Sequence, residues 1–521
     1  MSTETPYEQA RISNPAFVPH RLTLRDRPHG WLAQLWHLSR NPIDIWVQHH
    51  DFEAMIAVGP GLIGTVALVN DPAGIKRILV DNAANYEKDP LQLRVLAAGT
   101  PKSVAPGLLI ASGETWRRAR RTLAPLFTPR RVESMARTMR TTAEARVDAW
   151  LMEERPGNGS DKGAPALAID REMSALTYDI LSATMFSNAL AGSGADVERQ
   201  LSILLNAIGR LHPFDVFAFP DWVPRVGSGR GARARKFFEK AMKALLDSRL
   251  TEARNGRSLP DDLLSALIRA SDPETGMGLE HDEIIAHLFT FIAAGHETTA
   301  RALTWTLYLL SQDPEWEGRC IEEAKQAPDD PGQWLETLPV IRAAFEEAMR
   351  LFPPAPQLSR IAGADDIVAG TEIRAGTLMI IAPWVLHRHR KLWREPDAFV
   401  PSRFLPGNRD SIGRFAYLPF GAGPRICIGQ LFAMQEAVIV LACILRRLRL
   451  RYSGPTPKPL HRITLRPDVP LKMHIEPHCA TQNYATKPPI MRNGDRITGP
   501  ARPPTDAHGR WDKSGRKHAY E

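Results

Sequence analysis

Cysteine is scarce: the 521 residues hold four, Cys320, Cys427, Cys443 and Cys479. No two are close together and there is no Cys-x-x-Cys. This excludes a disulfide-stapled secreted domain and a multi-cysteine zinc module, and it fits a reducing, cytoplasmic setting. Long apolar runs are lacking too. The nearest, Trp31 to Leu38, is short and interrupted by Gln34 and His37, against the roughly 18 residues that a membrane span needs. No transmembrane anchor is therefore expected, and the polar, acidic opening Ser2-Thr-Glu-Thr gives no sign of a signal peptide. Charge is also modest. The formal net charge is +8, but Lys487 to Glu521 holds eight Lys/Arg against four Asp/Glu and so supplies +4 of it. The remainder is mildly basic, which does not point to nucleic acid.

What is present is a globular composition, 43% apolar and 24% charged. Helical periodicity dominates. Helices are expected over Asp71–Asn82, from Gly113, over Pro129–Glu154, Asp170–Phe186, Asp196–Leu211, Ala232–Ala253 and Glu280–Leu310, and from Leu431 to about Arg447. Short strands are expected at Ile56–Gly59, Leu62–Val69, Ile361–Val368 and Thr377–Ile381, with a final pair reaching Ile475. The fold class is mainly α with a small β region. Asn85–Ser112 reads as a long loop whose Leu91, Leu93, Val95, Leu96 and Leu108 could form an apolar wall. Pro156–Gly163 reads as a linker, and His212–Gly229, rich in Pro, Gly and aromatics, as a loop and candidate lid. Residues 1–40 read as an N-terminal extension, 41–476 as one catalytic domain, and 477–521 as a polar, disordered tail.

The stretch with the most chemistry is Phe420-Gly-Ala-Gly423-Pro-Arg425-Ile-Cys427-Ile-Gly429. Cys427 sits just before a helix start, where backbone N–H groups favour the thiolate. One soft ligand suits zinc poorly, but haem iron needs a single axial protein ligand. Phe420 can cover the sulfur. Gly423 allows a backbone angle closed to other residues, and Gly429 allows a flat cofactor to approach. Arg425 can pair with an anionic edge of that cofactor. The alternative for a lone cysteine is a buried structural thiol. The stretch resembles the haem-binding signature of the cytochrome P-450 family, Phe-x-x-Gly-x-Arg-x-Cys-x-Gly, and all five fixed positions match.

Further segments extend the resemblance over about Asn41 to Ile475. Trp116 and Arg120, four apart on one helix face, are similar to the family's Trp-x-x-x-Arg and suit the haem propionates. Ala294-Gly295-His296-Glu297-Thr298 resembles its acid–alcohol signature, with a threonine able to bend the helix by bonding the preceding turn. Glu347 and Arg350, followed by Leu-Phe-Pro-Pro, resemble its Glu-x-x-Arg helix. Pro401-Ser402-Arg403-Phe404 resembles the later Pro-x-Arg-Phe segment, with Ser402 where Glu is frequent. Glu347, Arg350 and Arg403 are expected to brace the haem loop. Arg360 matches a propionate-pairing position, and Ala355 to Ser359 are expected to face substrate.

The resemblance implies haem b (iron protoporphyrin IX) on Cys427 as the iron's axial ligand. Trp116, Arg120, Arg360, Phe420, Gly423, Arg425 and Gly429 would hold the cofactor, and Thr298 and Glu297 would steer protons. It implies a soluble, bacterial-type monooxygenase, expected as a monomer, that uses O2 on a small lipophilic substrate. No dinucleotide-binding segment is expected and no length remains for a flavin domain. NAD(P)H therefore acts only indirectly, through a ferredoxin or flavodoxin with a reductase. Arg446, Arg447, Arg449 and Arg451, with Arg117 and Arg118, are candidates for the face that carrier meets. A peroxide-driven peroxygenase and a haem-thiolate sensor without turnover are the alternatives.

Overall fold

The computed structural model describes residues 16–478 other than 21, 28, 63, 98–104, 154–165, 190–198, 202 and 205–227. In chain order its longer helices are α1 (Trp31–Arg40), α2 (Pro90–Ala97), α3 (Gly113–Leu123), α4 (Pro129–Glu153), α5 (Ile169–Phe186), α6 (Ser228–Arg254), α7 (His281–Gln312), α8 (Pro314–Lys325), α9 (Pro339–Leu351) and α10 (Gln430–Leu445). The axis of the molecule is α7, 32 residues long. It begins at a reciprocal cap in which Glu280 and Glu283 satisfy each other's backbone donors. It packs on α5 and α9. Trp305 of α7 stacks on Phe352 at 3.9 Å and donates to Leu465 O at 3.0 Å, tying the axis to the C-terminal strands. Helix α10 packs on α4 and is buried on nearly every side, which is why its sequence is apolar without a polar face.

The main sheet has five strands, β1 (Ile56–Pro60), β2 (Thr65–Val69), β3 (Tyr86–Lys88), β4 (Leu358–Ala362) and β5 (Leu378–Ile381), in the order β1-β2-β5-β4-β3. Only β2 and β5 run parallel, with Val66 opposite Leu378. At the β3–β4 edge the register sets Lys88 directly opposite Arg360. A smaller sheet joins Ala166–Ala168, Lys472–Pro477 and Leu448–Arg451.

The expected loop over Asn85–Ser112 is corrected. It opens with β3 and continues as α2, whose start is marked by Asp89 accepting Leu91 N–H at 2.9 Å ahead of Pro90. The Asp71–Asn82 helix changes character at Arg77, where Arg77–Asp81 winds as a π-helix. The expected strand Ile361–Val368 is two, with Asp366–Val368 forming a hairpin onto Thr371–Ile373. Gly59-Pro-Gly-Leu-Ile-Gly64 carries the glycine spacing of a dinucleotide loop, contrary to the expectation that the chain holds none. It links antiparallel strands and opens no helix, so it lacks the context of a phosphate cradle. The linker, most of Asp196–Leu211, the candidate lid up to residue 227 and the tail beyond His478 lie outside the described residues. No described helix is long and apolar enough to cross a membrane.

Candidate active site

A cavity of about 380 Å³ lies between α7 and the loop before α10. Along α7 its lining repeats every four residues, through Thr290 and Phe291, Ala294 and Gly295, Thr298 and Thr299, and Ala302. Helix geometry therefore turns one stripe of α7 inward. The opposite wall is Phe420, Arg425, Cys427 and Gly429. Gly107 closes the roof by packing on α7, where a Cβ would meet Thr290 Oγ1 at 2.3 Å and Ala286 O at 2.7 Å. Of the four leucines and one valine offered as an apolar wall, Leu96 and Leu108 line the cavity, whereas Leu91, Leu93 and Val95 do not. Of Ala355 to Ser359, Ala355 and Leu358 line it as expected, while Pro356, Gln357 and Ser359 do not.

The Cys427 loop is closed by its own N–H donating to Phe420 O at 3.0 Å. The sulfur is exposed to the cavity, yet protein surrounds it on nearly all sides. Burial accordingly pushes the thiol up, and the Gly429 N–H and Arg120 pull it down without cancelling that effect. At Gly429 a Cβ would project into open space, leaving a bare backbone surface beside the sulfur. Gly423 takes the backbone angle expected of it but is not one of the residues that face the cofactor. It does not line the cavity; its φ is +73°, and a Cβ there would lie 1.8 Å from Leu79 O of the π-helix. It seats the loop rather than touching what the loop holds.

One end of the cavity collects cations. Lys88, Arg120, Arg360 and Arg425 all line it, and Arg425 lies 4.3 Å over the Trp116 ring. Among the described residues none of the four meets a carboxylate. Lys88 Nζ donates to Leu109 O, Arg425 to Ala111 O at 3.1 Å and Arg360 to Ser359 O at 2.7 Å. Burial, then Arg425 and Arg360, lower Lys88 to about 7. Burial, then Arg425, lower Arg360 to about 10. Like charges set directly opposite across β3 and β4 destabilise a sheet edge. Such an arrangement fits a bound group carrying more than one negative charge. A soft single sulfur ligand, a bare glycine surface and a cationic end without anions together fit haem, with its two propionates at Lys88, Arg120, Arg360 and Arg425.

Lys88 was not visible in the sequence, because only the strand register brings it to Arg360. Its double role gives a test. In haem-free protein its folded value lies below its unfolded one, so the unfolded chain holds the proton more tightly. Stability should therefore rise with pH from about 7 toward the ordinary lysine range of about 10.4. Lys88→Met should make the haem-free protein more stable at neutral pH and flatten that rise, while speeding haem loss from the loaded protein. Urea unfolding across pH and haem transfer to a scavenging apoprotein measure the two effects.

The acid–alcohol pair is split by the helix. Thr298 faces the cavity and donates to Ala294 O at 2.7 Å. Glu297 does not line the cavity. It is buried behind the stripe, 3.6 Å from Arg301 four residues on, and its Oε2 has no hydrogen-bond partner. His296 is also turned away, with Nε2 at 2.9 Å from Ser174 O, and burial lowers it to about 4, so it is a neutral packing residue.

Fold and site fit a haem-thiolate oxidoreductase, helical around α7 and with Cys427 on the loop before α10. The sequence profile of the cytochrome P450 family matches residues 46–474, and the chain belongs to that family. It is 31% identical over 350 residues to cyclooctat-9-en-7-ol 5-monooxygenase of Streptomyces melanosporofaciens, covering 66% of this chain and 72% of that protein. It is 32% identical over 391 residues to a cytokinin hydroxylase of Arabidopsis thaliana, covering 73% of each. Among solved structures, a cytochrome P450 (CYP102L1) superposes with a TM-score of 0.71 at 26% identity, over 89% of this chain and all of that one. The protein is a cytochrome P450 monooxygenase, with haem as cofactor and O2 as oxidant.

Proposed function

We propose that this monooxygenase inserts one atom of O2 into a C–H or C=C bond of a lipophilic small molecule. The other oxygen leaves as water, with two electrons and two protons supplied from outside. The supporting observation is that one cavity joins Cys427 and the cationic end to an apolar wall of Leu96, Leu108, Phe291, Ala355 and Leu358. Residues 41–476 form the catalytic unit in this reading. Haem on a thiolate supplies the electron uptake and O–O cleavage. The chain's own residues do the rest. Trp116, Arg120, Arg360 and Arg425 orient the cofactor and neutralise its carboxylates, with Lys88 beside them. The apolar wall binds substrate and excludes water. Thr298 Oγ1 keeps its own proton on Ala294 O, so its lone pairs face the cavity and can hold an arriving proton there. Glu297 can exchange protons with the cavity only by leaving Arg301.

Electrons come from NAD(P)H through a separate reductase with ferredoxin or flavodoxin. The face proposed for that carrier is partly engaged by the chain's own carboxylates. Arg117 pairs with Glu114, Arg118 with Glu283, Arg447 with Asp148, and Arg451 with Glu317 and Glu476. The salt dependence of reduction should accordingly be weaker than six unpaired arginines would give.

Thr298→Ala tests the proton step. Reductant and oxygen consumption should continue, while product formed per reductant falls roughly tenfold or more and hydrogen peroxide makes up the difference. Unchanged product yield would remove Thr298 from the mechanism. A protein that binds substrate yet takes up no oxygen with reductant present would be a sensor instead.

A further inference from the structure

The cavity offers a substrate few hydrogen-bonding groups. Thr298 and Thr290 both donate to their own helix, to Ala294 O at 2.7 Å and to Ala286 O at 2.8 Å. The four cations crowd one end. A single neutral amide remains among the described lining residues, that of Gln92. It lies on α2 one turn before Leu96, and both side chains line the cavity. Gln92 is also held from behind. Ser359 Oγ lies 3.3 Å from Gln92 Oε1 and 3.2 Å from Asp89 Oδ2, two acceptors for its one proton. Ser359 is on β4 between Leu358 and Arg360, which line the cavity, so strand alternation turns Ser359 to the other face. Asp89 is fixed in turn, its Oδ1 accepting Leu91 N–H at 2.9 Å.

Ser359 has one proton to give. A carboxylate is a stronger acceptor than an amide oxygen, so the proton goes to Asp89. The Ser359 lone pairs then face Gln92 Oε1, two acceptors in contact, and turning the amide so that its NH2 meets Ser359 supplies the missing donor. A half-turn of the terminal torsion exchanges the two ends of a primary amide, so the surrounding network decides which end points where. With the amide so turned, the chain Gln92 NH2 to Ser359 Oγ to Asp89 carboxylate leaves Gln92 Oε1 as an acceptor without a donor among the described residues.

We infer that Gln92 is a specificity-determining residue and that the substrate is a lipophilic alcohol whose O–H donates to Gln92 Oε1. This rests on the apolar substrate cavity proposed above. A ketone or hydrocarbon of the same skeleton has no proton to give. Either one strips water from Oε1 and leaves it unpartnered, so both are bound less well than the alcohol. Ser359 and Asp89 act through Gln92, as positioning residues.

The test titrates the haem-loaded protein with cyclododecanol, cyclododecanone and cyclododecane, reading the haem absorbance change. The alcohol should bind about tenfold more tightly than the ketone or the hydrocarbon, the size of one net hydrogen bond. Gln92→Leu should abolish that ratio. Ser359→Ala frees the amide to turn over and present N–H, so it should move the preference from alcohol toward ketone, a shift that mere loosening of the fold would not produce. Equal affinities for all three in the unaltered protein would overturn the role of Gln92 and leave the apolar cavity standing. A ketone preference there would overturn the amide orientation and the alcohol with it. Failure of all three rings to bind would overturn the apolar cavity itself, and this inference with it.

Discussion

Cys427→Ala should leave the chain folded and remove its catalysis. The side chain faces the cavity and fills no core space, so truncation opens no packing defect. Its backbone N–H, which closes the loop on Phe420 O, is untouched by the change. The melting of haem-free protein should thus shift by no more than about 0.5 kcal/mol equivalent, as for substitutions away from the core. Oxygenation should fall below detection, because no other described cysteine can take over. Cys320 and Cys443 are buried within α8 and α10, neither lines the cavity, and burial pushes both thiols up, Cys443 to about 12. The reduced, carbon monoxide-treated protein should show a red-shifted Soret band, and the variant should not. A red-shifted band in the variant would mean that another sulfur ligates the iron.

The Cys427 loop was legible because its chemistry is local. Glycine, arginine and cysteine at fixed short spacing specify the backbone path and the ligand together, whatever surrounds them. Helix existence was legible for the same reason in α4, α5 and α7, where the apolar period runs for several turns. What escaped the sequence depends on direction or register. The α7 stripe is two residues wide and repeats every four, so Thr298 shares it with Thr299, while Glu297, about 100° before Thr298, falls off its edge. The signal was present in Arg301, which shares a face with Glu297 four residues earlier and pairs with it. Helix α2 was hidden by the Gly and Pro around it, although Asp89-Pro90 is a start signal. Lys88 and Gln92 gave no such signal. Lys88 becomes a site residue through its register with Arg360, and Gln92 through Ser359, some 267 positions away.

Arg350→Ala should have the largest effect on stability. Glu347 and Arg350 were expected to brace the haem loop with Arg403, and both are fully buried. Their two contacts are 2.6 and 2.8 Å, and Arg403 Nε lies 3.5 Å from Glu347 Oε1. Arg350 also donates to His387 O and Pro396 O at 2.7 Å and to Ala398 O at 2.8 Å. Truncation leaves Glu347 as a buried charge with Arg403 as its remaining, longer ion-pair partner, and it takes a donor from three buried carbonyls. Breaking a buried pair costs about 3–5 kcal/mol, a large part of the roughly 5–15 kcal/mol that holds a domain together. The damage has a route to the Cys427 loop. The backbone N–H of Leu418, which lines the cavity two residues before Phe420, donates to His387 Nε2 at 2.8 Å, and the carbonyl of that same His387 is one that Arg350 holds. Haem content should fall with stability, and the surviving carbon monoxide complex should shift its band to the blue as the thiolate contact is lost. Glu347→Gln with Arg350→Met should cost less than the two single changes added together, because neither charge is then left alone. A single Arg350→Ala protein that melts normally but loses its red-shifted band would place Arg350 in haem binding alone, and one that keeps both would remove this network as the brace of the Cys427 loop.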